Sequence, residues 1–161
     1  MTFFECYADE SLLKSFGLTS KELSGGHSFG RSRVSLRLKK SSDSVGLIDE
    51  DPGASRDQYL NHLFQLKPEY QDSNLTCIRD KKLGNKLIVL RPNLESWTVK
   101  LAKERNLDLT NPKYGLSMLP SELHEILTPK ENVKARNNLM QFINDVSSHQ
   151  SIVKLRGFLK S

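Results

Sequence analysis

The sequence contains only two cysteines, Cys6 and Cys77, among its 161 residues. Two cysteines are too few for a disulfide framework and lack the spacing of a metal site, so they indicate a reducing compartment, and we expect a cytoplasmic protein. No apolar run approaches the roughly 18 residues of a membrane span. The start, MTFFECYADE, carries acids where a signal peptide needs bases. With no internal repeat and no low-complexity linker, these absences exclude a disulfide-stapled scaffold and a membrane protein and favour one domain.

The charge balance favours a polyanionic partner. The formal net charge is +5 and the isoelectric point is near 9.2. Many basic proteins bind no nucleic acid, so this balance decides little by itself. The positions are more informative, because a basic cluster comes just before an acidic turn: Arg31, Arg33, Arg37, Lys39 and Lys40. This pattern predicts a basic surface beside an acidic pocket, with nucleic acid as the partner.

The acidic turn is the stretch VGLIDEDPG at residues 45–53. Its apolar start is typical of a buried strand, and the proline and glycine at its end predict a turn. Asp49, Glu50 and Asp51 therefore lie where the strand leaves the sheet, which is where ligand sites occur in open α/β sheets. Adjacent carboxylates are best tolerated when solvent or a cation offsets their repulsion, and oxygen ligands favour a hard ion such as Mg²⁺. An ordinary acidic turn is the alternative.

A second candidate strand, TFFECY at residues 2–7, contains Glu5. Its aromatic residues are typical of a short buried strand. A carboxylate there is costly, so Glu5 either reaches solvent at the strand end or takes part in chemistry. Asp9 or Ser11 is expected to cap a following helix that Gly17 ends.

The most glycine-dense stretch, SGGHSFGRSR at residues 24–33, leads into the basic cluster. Its backbone N–H groups and the guanidinium groups of Arg31 and Arg33 would suit a phosphate. The spacing matches neither a P-loop nor a dinucleotide fingerprint, so a plain loop stays an open alternative. Residues 33–40 fit both a strand and a helix by periodicity.

The next part of the chain predicts a hairpin and a helix. Apolar runs at residues 75–78 and 86–90 flank a Gly-Asn turn, which is a hairpin signal. Asn93 is expected to cap a helix with Glu95 in its first turn. An interaction with the helix dipole alone would explain an acid at that position.

The end of the chain is predicted to be helical. Helices are expected over SELHEIL, over residues 131–146 and over residues 152–159. Strands alternating with helices in the earlier part predict an α/β fold. We expect a core over residues 1–110 and a helical C-terminal extension over residues 111–161, packed on the same domain.

Three motifs, in this order, resemble the TOPRIM (topoisomerase-primase) domain: FFECYADESLL, GGHSFGRSRV and VGLIDEDPG. They correspond to a glutamate at the end of the first strand, a glycine-containing segment and an Asp-x-Asp pair ending a later strand. LIVLRPNLESW also resembles the strand-to-helix segment of small stand-alone TOPRIM-like proteins and of overcoming-lysogenization-defect-type nucleases. The resemblance covers roughly the first two-thirds of the chain, with Cys6 where the family commonly has glycine. It implies a mostly parallel central sheet flanked by helices, and a helix at residues 33–40.

The resemblance also implies roles for four carboxylates. Asp49 and Asp51 correspond to the metal-binding aspartates, and Glu5 to the glutamate that serves as metal ligand or general acid/base. Glu95 is a candidate fourth metal ligand. Mg²⁺, or Mn²⁺ in its place, suits phosphodiester chemistry because it neutralises charge on the transferring phosphate.

We therefore expect a magnesium-dependent nuclease acting on DNA or RNA, since no tyrosine stands out as a topoisomerase nucleophile. Arg31 and Arg33 are expected to hold phosphate oxygens. The chain would act alone or as the catalytic subunit of a phage-defence system with a partner ATPase. The alternative is a TOPRIM-like module that binds nucleic acid or a protein and performs no reaction.

Overall fold

A mixed five-stranded sheet forms the centre of the computed structural model, which describes residues 1–160. The strands are β1 (Thr2–Phe4), β2 (Val45–Asp49), β3 (Tyr70–Gln71), β4 (Leu75–Asp80) and β5 (Asn85–Leu90). Their order in the sheet is β1-β2-β5-β4-β3. Strands β1, β2 and β5 are parallel neighbours, whereas β4 pairs antiparallel with both β5 and β3. The sheet therefore has a parallel half, which begins with the first strand, and an antiparallel half built on the predicted hairpin.

Within residues 1–160, eight helices surround the sheet. They are α1 (Tyr7–Ser15), α2 (Ser20–Leu23), α3 (Arg31–Lys39), α4 (Gln58–Gln65), α5 (Leu94–Glu104), α6 (Pro120–Leu127), α7 (Val133–Asp145) and α8 (Gln150–Lys160). The predicted α/β architecture, with helices flanking a sheet and a helical C-terminal part, is confirmed. The helical interpretation of residues 33–40 is confirmed as well, because α3 covers nearly all of them. None of the helices in residues 1–160 combines the length and apolar content needed to cross a membrane.

One face of the sheet packs against α3 and α4. Side chains alternate between the two faces of a strand, so Ile48 faces α3 and α4 while its neighbour Leu47 faces the opposite side. The helix α3 lies very close to β2, since a Cβ atom at Gly46 would be only 2.5 Å from Leu38 Cδ1. A glycine at this position thus sets the distance between α3 and the strand that carries the acidic turn.

The other face packs against α1 and the helices from α5 onward. Trp97 of α5 and Phe142 of α7 are fully buried in the same hydrophobic cluster as Phe4 and Leu47 of the sheet. Ile152 of α8 belongs to this cluster too. The helices after residue 110 therefore share one core with the sheet.

The beginning of the chain differs from the prediction. Strand β1 ends at Phe4, and α1 begins at Tyr7 with Cys6 as its N-cap, so the interpretation of residues 2–7 as one strand was wrong. Neither Asp9 nor Ser11 is the N-cap. The reason is a capping box, because the carboxylate of Asp9 accepts hydrogen bonds from the N–H groups of Glu5 and Cys6, both at 3.0 Å.

Candidate active site

The ends of two parallel strands bring Glu5 and Asp49 together. Glu5 directly follows β1, and Asp49 is the last residue of the neighbouring strand β2. The Asp49 N–H donates to Glu5 Oε1 at 2.9 Å. Parallel strands end at the same edge of a sheet, which is why residues 44 positions apart in the sequence meet there.

The three consecutive acids at the end of β2, Asp49, Glu50 and Asp51, have different contacts. Glu50 forms an ion pair with Arg91, whose Nη2 lies 2.9 Å from Glu50 Oε1. Asp51 has a left-handed backbone with φ of 41°, and its N–H donates to Pro92 O at 3.1 Å. Asp51 and Glu5 both line an open cavity of about 390 Å³. The acidic turn therefore supplies Asp49 and Asp51 to the site and uses Glu50 to hold its own shape.

The start of α5 lies beside Asp49. Asp49 Oδ1 accepts a hydrogen bond from the Leu94 N–H at 2.9 Å, and Asn93 caps the helix as predicted. Glu95, in the first turn of α5, is buried and lies 2.8 Å from His124 Nδ1 of α6. Glu95 therefore lies near Asp49 at the start of α5, does not line the cavity and contacts His124.

Burial and mutual repulsion raise the pKa values of these carboxyl groups. Burial, followed by the charges of Asp9, Glu5, Glu95 and Asp51, raises the pKa of Asp49 to about 10. Burial and then the charge of Glu5 raise the pKa of Asp9 to about 7. Burial also raises the pKa of Glu5, against the hydrogen bond from the Asp49 N–H. The site thus holds more carboxyl groups than can be ionised together at neutral pH without a compensating cation.

The start of α3 supplies the opposite wall of the cavity. Gly30 is the N-cap of α3 and provides no side-chain cap, and both Gly30 and Ser32 line the cavity. Arg33 is exposed and lines the cavity. Arg31 is buried, and it donates to Glu50 O at 2.9 Å and to Ser55 O at 3.0 Å. Arg31 therefore braces the acidic turn, and Arg33 is the arginine left facing the opening.

The rest of the predicted basic cluster does not converge on the cavity. Arg37 donates to His27 O at 3.1 Å and lies over the Phe3 ring. Lys39 and Lys40 are exposed at the far end of α3, about 12 Å along a nine-residue helix. These three residues contribute to a basic surface around the helix and do not line the acidic cavity, whereas Arg33 does.

The carboxylate oxygens fit a hard divalent cation by type. Glu5 and Asp49 each accept a backbone hydrogen bond, and the Asp51 carboxylate makes no hydrogen bond within residues 1–160. Glu5 and Asp51 line the cavity, and Asp49 does not. Within these residues, no group of three or more histidine, cysteine, aspartate and glutamate side chains already has the geometry to hold a metal ion. Binding would therefore require small side-chain rotations toward the cavity.

Three residues near the site were not singled out from the sequence as site residues. Asp9 was considered only as a helix cap, because Cys-x-x-Asp differs from the usual Ser/Thr-x-x-Glu/Gln pattern of a capping box. For His124, no local sequence signal connects the residue to Glu95. Phe29 lines the cavity with a left-handed backbone of φ 55°, and no sequence signal marks an aromatic residue at such a position.

Comparison with known proteins found no match for this chain. No protein-family model matches the chain, and neither a curated protein nor a solved structure matches it. The proposals below depend on the residues and contacts described above.

Proposed function

We propose that this protein is a metal-dependent nuclease of the TOPRIM type that hydrolyses phosphodiester bonds in DNA or RNA. The observation that carries the proposal is the meeting of Glu5, Asp49 and Asp51 at one edge of the sheet, opposite the start of α3. An acidic wall facing a basic wall suits a phosphate that approaches together with a cation. The TOPRIM resemblance of the motifs supports the same reaction.

The residues that would hold the cation are Glu5, Asp49 and Asp51, with Glu95 behind them. All donors are oxygens, which favours Mg²⁺, or Mn²⁺ in its place. When bound, such an ion neutralises charge on the phosphate and lowers the pKa of a coordinated water. The hydrogen bonds to Glu5 and Asp49 keep the two carboxylates close together without a ligand, and rotations of the side chains would complete the cation site.

The start of α3 would hold the phosphate. A helix N-terminus attracts anions, and Arg33 places a guanidinium group at the same opening. Arg31 acts indirectly, because its two hydrogen bonds fix the acidic turn at the correct distance from α3.

Cleavage of labelled oligonucleotides tests the proposal. Single-stranded DNA, duplex DNA and RNA are incubated with the protein in Mg²⁺, in Mn²⁺ and in EDTA. We expect cleavage that requires the divalent ion, and the Asp51→Asn variant should reduce the rate about 100-fold or more. Its thermal stability should stay close to that of the wild type, because Asp51 is exposed and makes no side-chain hydrogen bond within residues 1–160.

Asp43→Asn is the matched control. Asp43 is also an exposed aspartate with a left-handed backbone, at φ of 48°, but it lies at the opposite end of β2. This variant should cleave like the wild type. Cleavage that persists in EDTA, or in both Asp49→Asn and Asp51→Asn, would refute a metal-dependent reaction at this site.

A second function is favoured by one specific observation. Glu5 and Asp49 each accept a backbone hydrogen bond, so the fold needs these acceptors even without chemistry. A TOPRIM-like module that only binds nucleic acid or a protein would therefore keep them. It predicts salt-sensitive binding that Asp51→Asn leaves intact, and no metal-dependent turnover of any of the three substrates.

The proposal also includes a cellular compartment and binding partners. We place the protein in the cytoplasm, with nucleic acid as its partner and with a partner ATPase of a phage-defence system as a further one. Purification of the chain from its own host, followed by identification of the co-purifying proteins, would test the second partner. Recovery of the chain without an ATPase would count against it.

A further inference from the structure

We propose that Phe29 and the cavity beside it bind an unpaired nucleobase, so that the substrate is a single strand. The inference rests on the proposed nuclease function and names the class of nucleic acid that this site accepts. It is carried by an aromatic ring at the mouth of the acidic cavity that the fold exposes.

Phe29 is held in an unusual position. Its side chain is 65% exposed, and its backbone is left-handed with φ of 55°. Large side chains rarely adopt this backbone conformation, and residues that do so concentrate at functional sites. Packing does not account for the strain, since the ring projects largely into solvent.

A column of rings supports Phe29 from below. The His27 ring is stacked on the Phe29 ring, with centroids 4.0 Å apart and planes at 21°. His27 in turn stacks on Phe4, with centroids 5.6 Å apart, and Tyr7 meets it edge-on. Burial lowers the pKa of His27, so this ring is neutral near pH 7. One face of Phe29 is therefore occupied and the other is free to stack on a ligand.

The backbone fixes this column to the sheet. The segment at residues 26–28 runs along the outer edge of β1, where the Phe4 N–H donates to Gly26 O at 3.1 Å and the Ser28 N–H donates to Phe4 O at 2.8 Å. Arg37 also donates to His27 O and to Ser28 Oγ. The ring system is therefore a rigid part of the fold, as a stacking platform requires.

The cavity beside Phe29 has the size and charge for one base of a strand. It has a volume of about 300 Å³, and Leu36, Arg33 and Arg37 form its other side. Phe29 and Arg33 line both this cavity and the acidic one, so the two share a wall. A strand with a phosphate at Arg33, on the wall that the two cavities share, would place a neighbouring base at Phe29.

Stacking on Phe29 requires a base whose face is free. Bases in a duplex are covered by their neighbours, whereas unpaired bases stack readily on aromatic side chains without regard to sequence. The geometry therefore selects single-stranded nucleic acid, or a splayed end, over an intact duplex.

Binding measured in EDTA tests this inference separately from cleavage. Fluorescence anisotropy is recorded with a labelled single strand, the matching duplex, and an abasic strand that keeps the phosphates but has no bases. Phe29→Ala should weaken binding to the single strand about 10-fold and leave the affinities for the duplex and the abasic strand unchanged. Phe29→Trp, which keeps an aromatic face, should retain wild-type affinity.

Val153→Ala is the matched control, since Val153 is an exposed apolar residue on α8, at 53% exposure. It should bind all three ligands like the wild type. Nucleoside monophosphates, used as competitors, should displace the strand only at concentrations at least about 100-fold above that of an unlabelled strand.

Four outcomes would overturn the inference. Single-strand affinity could be unchanged in Phe29→Ala, or it could fall equally for the abasic strand, which would leave charge alone as the cause. Displacement by a mononucleotide as effective as an unlabelled strand would assign the cavity to free nucleotides. Failure of all three nucleic acids to bind would exclude a nucleobase as the ligand of Phe29 and would favour a protein partner. Absence of cleavage in Mg²⁺ with the Phe29 effect intact would refute only the nuclease.

Discussion

Single carboxylates in this protein do two things at once. Glu5 accepts a hydrogen bond from the Asp49 N–H and Asp49 accepts one from the Leu94 N–H, so each carboxylate holds a piece of backbone as well as contributing an acid to the site. The place of Asp49 was predictable from the sequence, because an acid after an apolar run marks the edge of a sheet, whereas only the TOPRIM resemblance placed Glu5 at a strand end. The partners of Glu95 and Asp9 were not predictable, since they depend on the packing of α6 and on a local turn.

The pKa of Asp49 predicts a pH-dependent gain in stability for Asp49→Asn. The carboxyl group has a pKa of about 10 in the folded chain and 3.8 in its ordinary environment, so the folded state holds a proton that the unfolded state releases over this interval. The free energy of unfolding therefore falls as the pH rises from about 4 toward 10. Asparagine removes this term and keeps an oxygen for the Leu94 N–H. In EDTA at pH 8 we expect a gain on the order of 1 to 3 kcal/mol, or several degrees in Tm.

Thermal unfolding of both proteins from pH 4 to pH 9 checks this expectation. The difference in Tm should shrink as the pH falls to 4, because the Asp49 carboxyl is then partly protonated in the unfolded chain as well. Glu50→Gln serves as a comparison, because Glu50 is paired with Arg91 and its loss should not stabilise the fold. A lower Tm for Asp49→Asn at pH 8, or a difference in Tm that is independent of pH, would show that ionisation of the Asp49 carboxyl does not destabilise the fold.

At the scale of elements, local signals were readable and non-local ones were not. The cap at Asn93 and the helix α5 that follows it were predicted from residues close in sequence, and both are confirmed. The segment at residues 26–28 was missed, because it is extended only through its pairing with β1. Strand β3 was missed because two residues are too few to show a periodicity. The start of α1 was missed since cysteine is not a typical N-cap.

The segment at residues 26–28 predicts a strict need for Gly26. A Cβ atom there would lie 2.2 Å from Thr2 O, a backbone atom that cannot move without shifting β1. Gly26→Ala should therefore lower the free energy of unfolding by at least about 2 kcal/mol. Denaturant titration of the variant measures the loss.

Gly157→Ala provides the contrasting change. Gly157 lies exposed within α8, and a Cβ atom there would meet nothing within 4 Å. Alanine should raise the free energy of unfolding by about 0.5 to 1 kcal/mol, because it restricts the unfolded chain and favours helix. Equal effects of the two substitutions would disprove the close approach at Gly26.

At the scale of the whole molecule, sheet and C-terminal helices form one core. Leu123, Phe142 and Ile152, all after residue 110, are fully buried in the same cluster as Trp97. The sequence predicted the helices from their periodicity. Their place on the α1 and α5 side of the sheet could not be predicted, since periodicity shows which face is apolar and not what covers it.

We expect the chain to unfold in a single cooperative transition. Trp97 is the only tryptophan and is fully buried at the centre of the shared core, so its fluorescence reports on that core. Its unfolding curve should coincide with the far-UV circular dichroism curve. A chain ending at residue 110 should lose cooperative unfolding, because α1 and α5 would expose their apolar faces. Separate transitions in the full chain, or a cooperative transition in the shortened one, would mean two independent units.

The dual use of the acids changes how relatives of this protein should be judged. A relative without catalytic activity would still need hydrogen-bond acceptors at positions 5 and 49 for the backbone N–H groups of residues 49 and 94. Acids at positions 5 and 49 of a relative would therefore not indicate activity. Asp51 has no such architectural duty within residues 1–160. If the proposed nuclease reaction is correct, substitution at position 51 would therefore mark relatives that have lost the reaction and kept the fold.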